Sequence, residues 1–238
     1  MSPKEEIEQF LKQLHENKSR ILDYVGLQRL VLEDFNNRKI EKMKRGLRRD
    51  RLTQSLLAHR EVFIEHEPTQ TMVYYEVESI DPEDYTPRYS AIYISILKSS
   101  KGRVYVVRIT GIPNLIFIKA HLWDRYQQRL QETGHRSDAI LQIFAYWQSS
   151  FRRREAQALF DWDEKTLEQF VVIPDGLMLG CAAHYPIMSE FLNPLPDFYK
   201  QKFTVVVVLS TFITPEMFSY QQKIRVEDII KKSEELKK

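Results

Sequence analysis

A chain of 238 residues with 43% hydrophobic and 29% charged positions carries enough apolar material for a sizeable core and too little polar bias for disorder. Its single cysteine, Cys181, excludes an internal disulfide, and no apolar run approaches the ~20 residues that span a bilayer, so the expected setting is cytoplasmic and reducing, with no membrane partner. A formal charge of +2 is too small to mark a nucleic-acid binder, so the placement of the cations matters more than their sum.

Ser2-Pro3-Lys4-Glu5 joins an N-cap serine, a proline at the first helical position and a glutamate at the third, which together write a helix start. Ile7, Phe10, Leu11 and Leu14 supply its apolar stripe. Further helical patterns run from about 19 to 35 and from about 37 to 57, which divides the chain into a helical N-terminal region, 1–58, and an α+β domain, 59–238. Between Arg38 and Arg51 eight cations face only Glu41 and Asp50. This basic segment has two readings. As a phosphate-contacting surface, with Arg45, Arg48 and Arg49 as candidate nucleic-acid-binding residues, it adds salt-sensitive affinity for a backbone. As a solvated helix face or connector it does nothing specific.

From residue 59 the pattern changes to strands. Residues 61–67, 72–79, 89–97 and 103–110 are rich in β-branched and aromatic side chains with partial alternation, and short turns separate them. Connections that short imply an antiparallel meander. Gly111-Ile112-Pro113 then breaks the pattern ahead of a helix over Ile118–Glu132.

That helix is the most suggestive stretch in the chain. His121, Arg125 and Arg129 are spaced by four, so each step advances about 40° and the three form one drifting stripe. Leu122, Trp123, Tyr126 and Leu130 fill the adjoining arc, which puts the stripe at the border between core and solvent. A second helix is expected from Ser137, ending in Arg152, Arg153 and Arg154. A hairpin follows over Phe170–Ala183, then a proline-rich loop and a buried central strand over Phe203–Phe212. Thr214-Pro215-Glu216 opens the last helical segment.

Several mechanisms have no residues to carry them. The glycine fingerprints of nucleotide sites, the nucleophile elbow and the His-Glu-x-x-His metalloprotease motif are all missing from the sequence, and no cofactor is expected. Cys181 and His184 offer two metal ligands without a matching pair, so no metal site is expected, and Cys181 reads as a core thiol rather than a nucleophile. The central stripe has the composition that metal-independent RNA cleavage uses. His121 suits proton transfer at the 2′-hydroxyl or the leaving oxygen, Arg125 and Arg129 suit the developing phosphorane charge, and Tyr126 adds an aromatic platform or weak acid. The plain alternative is a boundary histidine with arginines paired to acidic neighbours.

The pattern His-x-x-x-Arg-Tyr-x-x-Arg on a helix, followed by a second helix, an apolar hairpin and a strand ending in threonine, resembles small bacterial toxin ribonucleases of the RelE and BrnT-like group. It is also similar to bacterial proteins of unassigned role that carry a His-x-x-x-Arg-x-x-x-Arg helix. The resemblance spans about 118–214 and implies His121, Arg125 and Arg129 as site residues, with Thr211 at the position of the terminal threonine. It implies an RNA-cleaving or RNA-binding activity with RNA as partner. The alternative function is a non-enzymatic protein-interaction module, whose basic helix and aromatic sheet bind a protein partner.

Overall fold

A computed structural model describes residues 2–18, 21–58, 61–99, 102–110, 114–132, 159–163, 165–173, 176–186 and 203–235. The helix expected from Ser137, its terminal arginines, and the proline-rich loop beyond Pro186 lie outside the described residues.

The architecture is α+β, with helices preceding a mostly antiparallel sheet. Three helices open the chain: α1 (Pro3–Glu16), α2 (Tyr24–Lys44) and α3 (Arg49–Ala58). Helix α1 starts on a complete capping box, Glu5 N–H donating to Ser2 Oγ while Ser2 N–H donates to Glu5 Oε2. The break between the second and third helices falls at residues 45–48 rather than near 36. Leu27, Val31 and Phe35 carry one buried stripe up to the expected break, and the chain turns only where Gly46 takes φ +78.

Among the described residues nine strands form one sheet: β1 (Glu61–His66), β2 (Thr71–Ile80), β3 (Pro87–Ser99), β4 (Gly102–Ile109), β5 (Asn114–Lys119), β6 (Leu159–Trp162), β7 (Glu168–Ile173), β8 (Gly176–Pro186) and β9 (Phe203–Ile213). Their order is β1-β2-β3-β4-β5-β9-β8-β7-β6, antiparallel throughout except where β5 meets β9 at the centre. Two meanders thus meet at the strands that close each of them. Each closing strand is followed by a helix, α4 (Ala120–Glu132) after β5 and α5 (Tyr220–Glu235) after β9, the latter through a 3-10 turn at Pro215–Met217.

Strand β5 corrects the expected start of the central helix, because Ile118 and Lys119 end a strand. Leu115, Phe117 and Ile118 are almost wholly buried, so the run has no polar side from which a strand period can be read, and a helical pattern follows at once. Strand β6 was not legible at all.

The two faces of the sheet carry different partners. On one face Tyr74, Ile92, Ile94, Tyr105, Val107 and Val207 pack with Leu122, Trp123 and Tyr126 of α4. On the other, α1 covers the centre through Phe10 against Phe117, whose rings stack at 5.4 Å, with Val106, Val206 and Val208 around them. Helices α2 and α3 cover the β2–β3 side of that same face through Leu27, Val31, Phe35, Leu52 and Leu56. Ile229 of α5 covers β7 and β8 there, against Val172 and Leu177. The N-terminal helices therefore cap the sheet on the face opposite α4.

Candidate functional site

Helix α4 presents its stripe as the geometry of a border predicts. Trp123 and Tyr126 are buried, with ring centroids 6.3 Å apart, and Tyr126 meets Phe212 edge-on at 4.9 Å. Relative to that core direction His121 lies far round the helix and is exposed. The 40° drift brings Arg125 and then Arg129 back toward the sheet, and both are half-buried. The side chains of His121 and Arg125 make no hydrogen bond or ion pair with a described residue.

Arg129 is differently placed. Its Nη1 donates to Thr214 Oγ1 at 3.4 Å, just beyond the end of β9. The Thr214 hydroxyl first, and Arg129 more weakly, hold the exposed Glu216 carboxyl below the usual range. Arg129 thus leans on a polar cluster at the β9 terminus, and a carboxylate stands in its field.

Two of the expected site residues do not join the stripe. Tyr126 falls about 140° from His121 around the helix, on the core side, and its ring is enclosed by Trp123 and Phe212 rather than offered to a ligand. Thr211 lies on the other face of the sheet. Across β8–β9 the register shifts between Leu179 and Gly180, so Ser210 is the extra residue of a bulge. Leu209, opposite Gly180, points toward α4, whereas Thr211 pairs with Leu179 and shares its face with Ile213, under α5. A strand without the bulge would have put 209 and 211 on one side. Thr214, not Thr211, is the threonine that meets the stripe.

The basic segment separates into two sets. Arg38 Nη1 donates to Tyr75 Oη, which itself donates to Asp34 Oδ2 at 2.6 Å, and burial with that carboxylate pushes the Tyr75 phenol far up. Lys39 sits over the Tyr85 ring, and Lys42 Nζ donates to the carbonyl and hydroxyl of Ser55. These three dock α2 onto the sheet and onto α3. Lys44, Arg45, Arg48 and Arg51 are exposed at the α2–α3 corner, with no side-chain hydrogen bond or ion pair to a described residue. Arg49 opens α3, and its side chain lies outside the described residues. The corner and the α4 stripe stand on opposite faces of the sheet.

Cys181 and His184 are three apart on β8, so they point to opposite faces and cannot act together. Burial, then Glu6, pushes the Cys181 thiol up to about 11, which suits a core residue beneath α1. Among the described residues no group of three or more His, Cys, Asp or Glu is gathered to hold a metal ion, and no helix is long and apolar enough to cross a membrane.

One residue went unnoticed in the sequence. Arg108 of β4 is 3% exposed, its Nη1 donating to Leu22 carbonyl oxygen at 2.7 Å and its Nη2 to Ser95 Oγ at 2.8 Å. Burial lowers its pKa to about 10. It holds the α1–α2 connection down on the sheet. The signal was its phase: Val104, Val106 and Arg108 share one side of an alternating strand.

Comparison of the chain with protein-family models, with curated proteins and with solved structures finds no match.

Proposed function

We propose that the protein binds RNA, in a cytoplasmic setting, through phosphate contacts made by the His121–Arg125–Arg129 stripe of α4. The observation that carries this reading is the position of the stripe. It stands on the face away from α1, α2 and α3, with His121 exposed and the Arg125 guanidinium unpaired among the described residues. A planar guanidinium beside an imidazole suits a phosphodiester, and such contacts bind without reading sequence.

Binding is favoured over cleavage by the same geometry. Transfer of the 2′-hydroxyl proton and protonation of the leaving oxygen are two roles, and the stripe supplies one imidazole. Tyr126 is enclosed in the core and Thr211 faces away, so neither serves as the partner group.

The test is fluorescence anisotropy with a short labelled single-stranded RNA, comparing the intact protein with Arg125→Ala, beside a cleavage assay in EDTA. The reading expects binding that weakens in the variant, with the RNA left intact. Cleavage abolished by His121→Ala would restore the toxin-like enzyme, and equal binding by both proteins would remove the stripe from the function.

A second reading, a protein-interaction module, is favoured by one observation. Exposed large apolar side chains gather on α2 and α5, away from α4.

A further inference from the structure

Six polar or charged side chains, tyrosines aside, are buried among the described residues, and three of them meet in one place. Thr71 of β2, Ser95 of β3 and Arg108 of β4 are 1%, 0% and 3% exposed. Arg108 Nη2 donates to Ser95 Oγ at 2.8 Å, and Ser95 Oγ lies 3.3 Å from Thr71 Oγ1. Through Nη1 the same guanidinium donates to the Leu22 carbonyl oxygen at 2.7 Å, so the α1–α2 connection closes over the cluster.

The guanidinium is short of partners. It offers five N–H donors and a full positive charge, yet both of its acceptors are neutral, and Nε is buried with none. Among the described residues Arg108 forms no ion pair. The carboxylate whose charge reaches it is Asp23, which is exposed and whose Oδ1 already accepts from the Gly26 N–H at 2.7 Å. Glu76, a buried carboxylate, lies with Tyr74 on the α4 face. A cation taken out of water without a counter-charge is strongly disfavoured, and arginine is seldom fully buried unless paired.

We infer that this cluster binds one small inorganic anion of the halide class, held by Arg108 Nε with the Ser95 hydroxyl as a second donor. Ser95 Oγ accepts from Arg108, which leaves its own proton to be directed at an acceptor. A single negative charge balances the single guanidinium, and a monatomic ion needs few donors, as a site with Thr71 and Ser95 almost wholly buried requires. A phosphate or another polyatomic dianion brings more charge and more oxygens than these groups satisfy. The bound anion completes the partners of the guanidinium that grips the Leu22 carbonyl, so it ties the α1–α2 connection to β3 and β4. The site shares no residue with the α4 stripe, lies on the opposite face of the sheet, and is independent of RNA binding.

The experiment pairs anomalous diffraction from bromide-soaked crystals of the full chain with urea unfolding in sodium chloride and sodium gluconate mixtures at one ionic strength. An anomalous peak is expected against Arg108 Nε, and this arm needs no variant. The folding constant should rise about tenfold for each tenfold of chloride above the dissociation constant, as one-site linkage requires. Arg108→Met, shown by circular dichroism to be folded, should lose that dependence, whereas Arg45→Ala, at an exposed cation of the α2–α3 corner, should keep it. Hydrogen exchange at Leu22 to Tyr24 should slow with chloride in the intact protein alone of the first two. A water against Nε with no bromide signal, stability indifferent to chloride, or a chloride dependence that survives in Arg108→Met would overturn the inference. So would a bromide peak without chloride-linked stability, which is binding at crystal concentration only.

Discussion

Substituting Gly180 with alanine probes the bulge that decides which side of the sheet each residue of β9 faces. A Cβ at Gly180 would stand 1.9 Å from the Val208 carbonyl oxygen and 3.0 Å from Leu209 Cα, both backbone atoms, whereas ordinary contact begins at 3.4 Å. Relief therefore requires a shift of about 1.5 Å in a strand held by ladders to β8 on one side and β5 on the other. Such a shift breaks one or two ladder hydrogen bonds and displaces Val208 and Leu209, which are buried on opposite faces. At 1–3 kcal/mol per orphaned buried group, plus repacking, the cost is roughly 3–5 kcal/mol, or a melting temperature lower by about 10 °C for a chain of this size. Gly46→Ala is the control. It adds strain at φ +78 but meets nothing within 4 Å, and should cost about 1 kcal/mol. Urea unfolding of the two variants measures the difference. A Gly180→Ala protein within about 1 kcal/mol of the parent would refute the close approach, and with it the assignment of Thr211 to the far face.

Arg108→Ala should destabilise by about 2–4 kcal/mol, since the Leu22 carbonyl and the Ser95 hydroxyl lose their donor and a void opens between them. Arg108→Met fills that volume without burying a cation and should cost no more than about half as much, and hydrogen exchange at Leu22 to Tyr24 should quicken in both variants. The Cys181 thiol, raised from an ordinary value near 9 to about 11, gives a pH dependence of definite sign. The unfolded chain releases that proton first, so the stability contributed by the neutral thiol is complete below pH 9 and lost as pH rises toward 11. The unfolding free energy measured across that window should fall less steeply for Cys181→Ala. Thr211→Val should leave RNA binding unchanged, because residue 211 faces α5, whereas Thr214→Val should weaken it by removing one hydrogen-bond partner that positions Arg129.

Much of the fold was legible because several of its elements carry signals that are local in the chain. The capping box at Ser2, the meander from 61 to 110 and the hairpin over Phe170–Ala183 each carry a local signal that tertiary packing leaves unchanged. Strand β5 was hidden for the opposite reason, since burial on both faces removes the alternation that would separate it from α4. The candidate site was legible as a stripe but not as an assembly. Helical spacing places His121, Arg125 and Arg129 correctly relative to one another, and it already sends Tyr126 toward the core. The side taken by Thr211 depends on one extra residue at Ser210, which no period in β9 announces because Val205 to Leu209 is apolar without interruption. The basic segment misled for a similar reason. Charge alone does not tell Arg38 and Lys42, held by Tyr75 and Ser55, from Arg45 and Arg48, which meet solvent.

The most direct measurement is the salt dependence of RNA binding by the intact protein beside Arg125→Ala, Arg129→Ala and Thr211→Val. Each phosphate contact on a single strand contributes about 0.7 to the slope of log affinity against log salt. The account predicts that the two arginine variants each lower the slope by about that amount, with Thr211→Val indistinguishable from the parent. A slope that stays the same in both arginine variants, or no salt-sensitive RNA binding at all, would contradict the assignment of α4 as the phosphate-contacting surface.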